Sequence, residues 1–252
     1  MPTNRHYARA PITEAVIELR GQFGGVPTRE ELKAIGDRAT AFFPHQVEPI
    51  LRVAVRAKAN NVEEDPVSTT ADKSFLGYRL IFGGNERIAQ IRPDAFVFSQ
   101  MPPYDRWESL RAAARELWTL YRDALKPTAI TRVAVRYINR IDIPLDESGL
   151  IDLDDYFLAA PRIPPGLPQS LNSFFVRMQI PLGSENAILA ITLTEHQPIR
   201  PGFVSAILDL DTFIAGVEIT EGEAWDKLEF LRNKKNEAFE AAITDRVREL
   251  IS

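Results

Sequence analysis

Along this chain hydrophobic and polar positions alternate with a period of two in some stretches and recur with a period near 3.6 in others, the signatures of half-buried strands and amphipathic helices. The first strand pattern is Ala10–Phe23, closed by the turn Gly24-Gly25-Val26-Pro27. Thr28 with Glu31 forms a capping box that predicts a helix start, and Leu32, Ile35, Ala39 and Phe42/Phe43 supply its inner stripe as far as Pro44. Pro49–Ala57 alternates as a strand, whereas Asn60–Lys73 is polar, holds Pro66 and lacks periodicity, which predicts a mobile loop. Phe75–Phe82, Gly83-Gly84-Asn85 and Arg87–Arg92 read as a hairpin by pattern and turn chemistry, and Ala95–Ser99 as a short strand. A second capping box, Asp105 with Glu108, predicts a helix to about Leu125 with Trp107, Leu110, Ala114, Leu117, Trp118 and Tyr121 on one face.

The second half follows the same plan. Ala129–Ile143 is rich in Val, Ile and Tyr and is the strongest strand pattern; a short helix near Leu153–Leu158 and the proline-rich loop Pro161–Pro168 follow. Phe174–Ile180 and Ala187–Thr194 flank the turn Gly183-Ser184-Glu185-Asn186, and Val204–Phe213 is a further strand. Thr220 and Glu223 box the last helix, predicted to run unbroken to the C-terminus with Trp225, Leu228, Leu231, Phe239, Ile243, Val247 and Leu250 as its stripe.

Equivalent residues recur at a nearly constant offset. Ile12-Thr13 matches Ile130-Thr131, Trp107 matches Trp225, Leu110 matches Leu228 and Tyr121 matches Phe239, each 118 apart; Asp94 and Phe96 match Asp211 and Phe213 at 117. The expected architecture is α+β: a single domain of two β-α-β(3–4)-α pseudo-repeats, about 8–126 and 127–252. The halves would share one curved antiparallel sheet with long helices on one face, the saddle plan of TATA-box-binding-protein-like folds. That is a likeness of plan alone.

Strand parity then points to candidate binding residues. In Ala129–Ile143 the odd positions are mainly apolar, so Arg132, Arg136 and Arg140 share the opposite face. On the first strand Glu14 and Glu18 share that face; at the 118 offset Glu14 matches Arg132 and Glu18 matches Arg136, which predicts a cross-strand charge ladder if the two strands are neighbours. Arg52, Arg56 and Lys58, on one parity of their own strand, would with Arg177 give an arginine-rich face able to hold a phosphate, an acidic peptide or single-stranded nucleic acid. The terminal helix would span roughly 40 Å at 1.5 Å per residue. Its end, with Phe239, Ile243, Val247 and Leu250, either closes back over the sheet or overhangs it and offers an apolar stripe to a second copy or a partner.

Composition changes this picture mainly by exclusion. The 252 residues include no Cys and three His, which removes disulfides and thiolate chemistry and leaves little for a zinc site. A net charge of −5 gives no whole-molecule attraction to nucleic acid, although Arg dominates the 30 basic residues and favours bidentate contacts. No apolar run approaches the ~20 residues of a membrane helix, and Met1–Pro11 lacks a signal-peptide core, so a soluble cytoplasmic protein is expected. There is no phosphate-binding glycine loop, no Gly-x-Ser-x-Gly elbow and no His-Glu-x-x-His, and no cofactor or metal is expected. Asp209 and Asp211 share a strand face and are the candidates for a metal-dependent hydrolase.

The segment Arg132-Val-Ala-Val-Arg-Tyr-Ile-Asn-Arg-Ile-Asp-Ile-Pro144 combines with Ala10-Pro-Ile-Thr-Glu-Ala-Val-Ile-Glu-Leu-Arg20, with Phe98-Ser99, Pro103-Tyr104 and Trp107, and with Leu208-Asp-Leu-Asp-Thr-Phe213. In these the chain resembles, over nearly its whole length, a bacterial family known as "sporadically distributed" proteins. The resemblance implies no activity, cofactor or catalytic residue. It implies a setting in accessory loci such as toxin–antitoxin or phage-defence modules, whose small subunits often bind another protein. The leading expectation is therefore a non-enzymatic protein-binding or regulatory subunit, acting on a protein partner or as a homo-oligomer. The alternatives are nucleic-acid or phosphate-ligand binding on the arginine face, and hydrolysis at Asp209 and Asp211.

Overall fold

A computed structural model of the chain describes residues 5, 7–40, 45–59 and 67–252. The fold is α+β. Among the described residues nine strands, β1 (Ile12–Gln22), β2 (His45–Ala59), β3 (Val67–Phe82), β4 (Arg87–Ile91), β5 (Ala95–Gln100), β6 (Ala129–Pro144), β7 (Phe175–Pro181), β8 (Ala187–His196) and β9 (Phe203–Ile219), form one open sheet in the order β2-β3-β4-β5-β1-β6-β9-β8-β7. Every neighbouring pair is antiparallel. The helices are α1 (Arg29–Ala39), α2 (Trp107–Leu125), α3 (Glu221–Ala242) and α4 (Asp245–Ile251). No helix among the described residues is long and apolar enough to cross a membrane.

Strand parity selects the helix-covered face. Ile17 and Leu19 of β1, Val133, Val135 and Tyr137 of β6, Phe96 and Phe98 of β5 and Leu208 and Leu210 of β9 are all buried there. Two apolar clusters result. One lies beneath α1, α2 and the first half of α3; the other gathers β8, β9, the end of β6, the second half of α3 and α4. The boxes at Thr28/Glu31 and Thr220/Glu223 both form, each Thr hydroxyl accepting from the N3 amide while the Glu carboxylate accepts from the cap amide. Each satisfies two amides that a helix start otherwise leaves open.

Elsewhere the expected elements give way. Residues 67–73 are strand rather than loop: β3 pairs with β2 from Val67 to Phe82 but with β4 only over Tyr78–Phe82, so the hairpin runs past the sheet as a two-stranded ribbon. Residues 72–74 are exposed, and a strand with no buried face has no reason to alternate. Residues 41–44, with Phe42/Phe43, and 60–66 lie outside the described residues. At the root of the ribbon Gly77 has φ +142°, and a Cβ there would sit 2.2 Å from the Ile91 carbonyl oxygen, so only glycine fits. The Asp105/Glu108 box does not form. Arg106 takes the cap position with extended φ −156°, ψ 158°, the helix starts one residue later than predicted, and Asp105 instead accepts from the Ser109 hydroxyl at 3.0 Å.

The terminal helix is the larger correction. It breaks at Ile243 (φ −113°, ψ 153°), which pairs with Phe157 as an isolated β-bridge. The Leu158 amide donates to the Ala242 carbonyl at 2.9 Å and the Thr244 amide to the Tyr156 carbonyl at 3.1 Å, so the chain turns and α4 folds back. Phe239, Ile243 and Val247 are consequently buried in the second cluster, with Leu250 packed against it, and no overhanging stripe is left. A β-branched pair, Ile243-Thr244, followed by Asp245 is the sequence signal for this second helix start.

Candidate functional site

The arginine face forms as the strand parity predicts, but its partners differ. β1 and β6 are neighbours, and in their antiparallel register Glu18 lies opposite Ala134 and Glu14 opposite Ile138. The 118-residue offset matches Glu14 with Arg132 and Glu18 with Arg136, but the antiparallel register sets each against another residue. Arg136 instead makes a bidentate contact with Asp209, Nε to Oδ1 at 2.8 Å and an Nη to Oδ2 at 2.6 Å. Arg132 donates to Asp211 Oδ2 at 3.0 Å and to Glu18 at 3.4 Å, and its guanidinium lies 4.0 Å above the Phe213 ring. Arg140 is held by Asp142 at 3.1 Å, the Ser205 hydroxyl at 3.1 Å and the Gln197 carbonyl at 3.0 Å.

The face is thus a lattice of internal charge pairs. The carboxyl of Asp211 titrates above its ordinary range, chiefly because it is buried, with Arg132 and Arg136 acting in opposition. Arg136 is held more firmly charged by its bond to Asp209. Asp209 and Asp211 are each engaged by an arginine, and no three His, Asp or Glu side chains among the described residues cluster as a metal site would require. Arg52 is exposed on β2, at the sheet edge and away from this lattice; the side chain of Arg56 lies outside the described residues.

A second site was not foreseen. A cavity of about 660 Å³ opens between the N-terminal segment at residues 7–12, the loop at Pro102–Trp107, the middle of β6 and the second half of α3. The N-terminal wall is fastened by the Arg9 amide donating to the Ile251 carbonyl at 2.9 Å and the Tyr7 hydroxyl to Glu240 at 2.7 Å. Tyr104 and Tyr137 meet in the cavity with their hydroxyls 2.6 Å apart and their rings edge to face. Burial raises the pKa of both, so each hydroxyl keeps its proton.

Lys235 is the anomaly of the cavity. It is buried, 8 % exposed, and its ammonium lies 3.7 Å over the Tyr137 ring. Arg232 lines the same wall one helical turn earlier and, among the described residues, has Asn233 as its side-chain hydrogen-bond partner, at 3.5 Å. Among the described residues neither cation makes an ion pair, whereas Arg5 and Arg106 at the rim are paired with Glu240 and Asp105. Burial, aided by the Arg232 charge, pulls the Lys235 pKa down from 10.5 to about 7. The ring face favours the ammonium and offsets part of that effect.

The sequence does carry a signal for this residue. Lys235 lies four positions after Leu231 and four before Phe239, on the buried stripe of α3 rather than its solvent face. It also sits within the polar run Arg232–Glu237, and the tertiary structure buries it. No protein-family model matches this chain, and no curated protein matches it.

Proposed function

We propose that the protein binds a small anionic molecule in the cavity between its N-terminal segment and α3. One observation carries the reading: among the described residues Arg232 and Lys235 make no ion pair in a cavity of about 660 Å³, where Glu240 and Asp105 are held by Arg5 and Arg106 and Glu108 is the further carboxylate on the wall. A buried charge left unpaired is costly, and an anion entering the cavity supplies the missing partner. The volume lies within the range of small-molecule sites, and the tyrosine hydroxyls and Asn139 provide polar groups that orient a ligand. Thermal-shift titration with inorganic phosphate, malonate, pyruvate and heparin tests it. Phosphate or the small carboxylates should raise the melting temperature of the native protein and not of Arg232→Gln. Stabilisation by heparin alone would transfer the function to the arginine face, and no response to any small anion would sink the proposal.

A regulatory role through a protein partner, or through a second copy, is favoured by a different observation. The edge strand β7 leaves one side of its backbone unpaired and exposes Phe175, Met178 and Ile180, with Phe175 at 68 %. Such an edge accepts an added strand. Light scattering of native protein and of Met178→Lys decides whether the edge drives self-association, a monomer at all concentrations removing the second copy as occupant.

We also infer that the two halves derive from one duplicated unit with a saddle-like plan. The order outward from the centre supports it, being β1, β5, β4, β3 on one side and β6, β9, β8, β7 on the other, with β2 an addition. Ile17 pairs directly with Val135, its counterpart at 118, as a twofold axis between β1 and β6 requires. The 117 offset fails between Phe96 and Phe213: Phe96 is buried beneath the helices, while Phe213 lies under Arg132 on the other face. Superposing 8–126 on 127–252 tests the inference, and a failure of the four strand pairs to overlay would reject it.

A further inference from the structure

We propose that Lys235 captures a 2-oxo acid in this cavity as an imine, with Arg232 receiving the ligand's carboxylate; the inference rests on the cavity being an anion site. The geometry separates the two cations by role. Arg232 is suited to a carboxylate, which its planar guanidinium fork can hold by two bonds. Lys235 is placed otherwise. Its amine is buried against the face of Tyr137, beside another cation and, among the described residues, with no carboxylate bonded to it, and each of these but the ring face disfavours the ammonium. A site that only held an anion would gain from keeping its lysine charged. A site that uses the amine as a nucleophile needs the neutral form, and burial near a second cation is the usual means of obtaining it.

The chemistry balances without a further reactant. The nitrogen lone pair attacks the ligand's carbonyl carbon, the carbon–oxygen π pair moves to oxygen, and the proton that oxygen gains matches the one nitrogen loses. The carbon–oxygen bond then breaks, water departs with a second proton originating on nitrogen, and the carbon–nitrogen double bond forms. Amine and 2-oxo acid thus give imine and water, with no change of oxidation state. The Tyr104 hydroxyl, protonated and bonded to that of Tyr137 at 2.6 Å, faces the same cavity and can relay the proton between nitrogen and oxygen.

Reductive trapping reads this out. Native protein is incubated with pyruvate or glyoxylate, reduced with cyanoborohydride, and analysed by intact mass and peptide mapping. One adduct is expected, on the peptide holding Lys235, in preference to exposed lysines such as Lys33. Malonate, which has two carboxylates and no ketone, should slow the trapping by occupying the cavity. Lys235→Arg and Lys235→Met should lose the adduct, and Lys235→Arg should still bind malonate, which shows that it is folded and that the loss is one of chemistry. Saturable pyruvate binding without an adduct overturns the imine and leaves the anion site standing. An adduct spread over surface lysines in proportion to exposure also overturns it. If neither pyruvate nor malonate binds, both this proposal and the anion reading fail.

Discussion

Replacing Lys235 by methionine is expected to stabilise the protein at pH 7 by about 3–5 kcal/mol and to flatten its stability between about pH 7 and 10. In the unfolded chain the amine titrates at its ordinary 10.5, and in the folded protein at about 7. Between these values the unfolded state carries a proton that the folded state has shed, so stability rises with pH across that window. Below pH 7 both states are protonated and the burial penalty is fully present; above 10.5 neither is, and the penalty is gone. A difference of this size corresponds to about 5 kcal/mol, from which methionine gives back the ammonium–ring attraction it cannot make.

The other groups that face Lys235 leave the window clear. Arg232, Glu108 and Glu240 line the same cavity. Tyr104 and Tyr137 are held protonated by burial, which lowers stability only as the unfolded tyrosines ionise above about pH 10. Urea unfolding at pH 6, 7.5 and 9 measures the effect. Wild-type stability should climb between pH 7.5 and 9 while that of Lys235→Met should not, and parallel curves would show that Lys235 keeps its proton in the folded state. A gain in stability together with loss of the reductively trapped pyruvate adduct would mark Lys235 as a residue kept for function at the expense of the fold.

Trp118→Ala is expected to cost about 3–5 kcal/mol, the range for deleting a large buried aromatic. Trp118 is fully buried on α2, stacked on Tyr121 at 5.3 Å and edge-on to Phe96 at 5.8 Å. Its indole N–H donates to Glu221 at 3.1 Å, tying α2 to the first turn of α3. Truncation therefore opens a void among three rings and removes a link between the two long helices. Trp118→Phe keeps most of the ring packing and isolates the hydrogen bond, so it should lose clearly less. Denaturant midpoints at a fixed slope measure both, and a loss below about 1.5 kcal/mol in the alanine variant would show that Phe96 and Tyr121 collapse into the gap.

Several of these features were legible in the order of residues. The alternation Val133, Val135, Tyr137 on one face and Arg132, Arg136, Arg140 on the other is local, since a strand turns each successive side chain to the opposite side. The Thr28/Glu31 and Thr220/Glu223 boxes are equally local, as both partners lie within one helical turn. Asp105/Glu108 has the same spelling yet does not cap, because the chain entering α2 is held extended at Arg106 and the register of the helix shifts by one. The ribbon at residues 67–74 and the break at Ile243 escape a periodicity reading for opposite reasons: the exposed positions 72–74 face no core, and the break pairs with Phe157, far off in sequence.

The candidate sites divide along the same line. By itself the sequence determined which side chains share a face, where helices begin, and which chemistries the lack of Cys and the three His exclude. Only the tertiary structure decided what each charge meets. Arg136 finds Asp209 across 73 residues and Arg132 finds Asp211 across 79, contacts set by the pairing of β6 with β9 and by no local pattern. Lys235 becomes unusual only because α3 lays it over Tyr137 of β6, in a cavity that residues 7–12 and the Pro102–Trp107 loop help to enclose. Periodicity is a property of neighbouring residues, whereas burial and ion pairing depend on segments that the chain brings together from a distance.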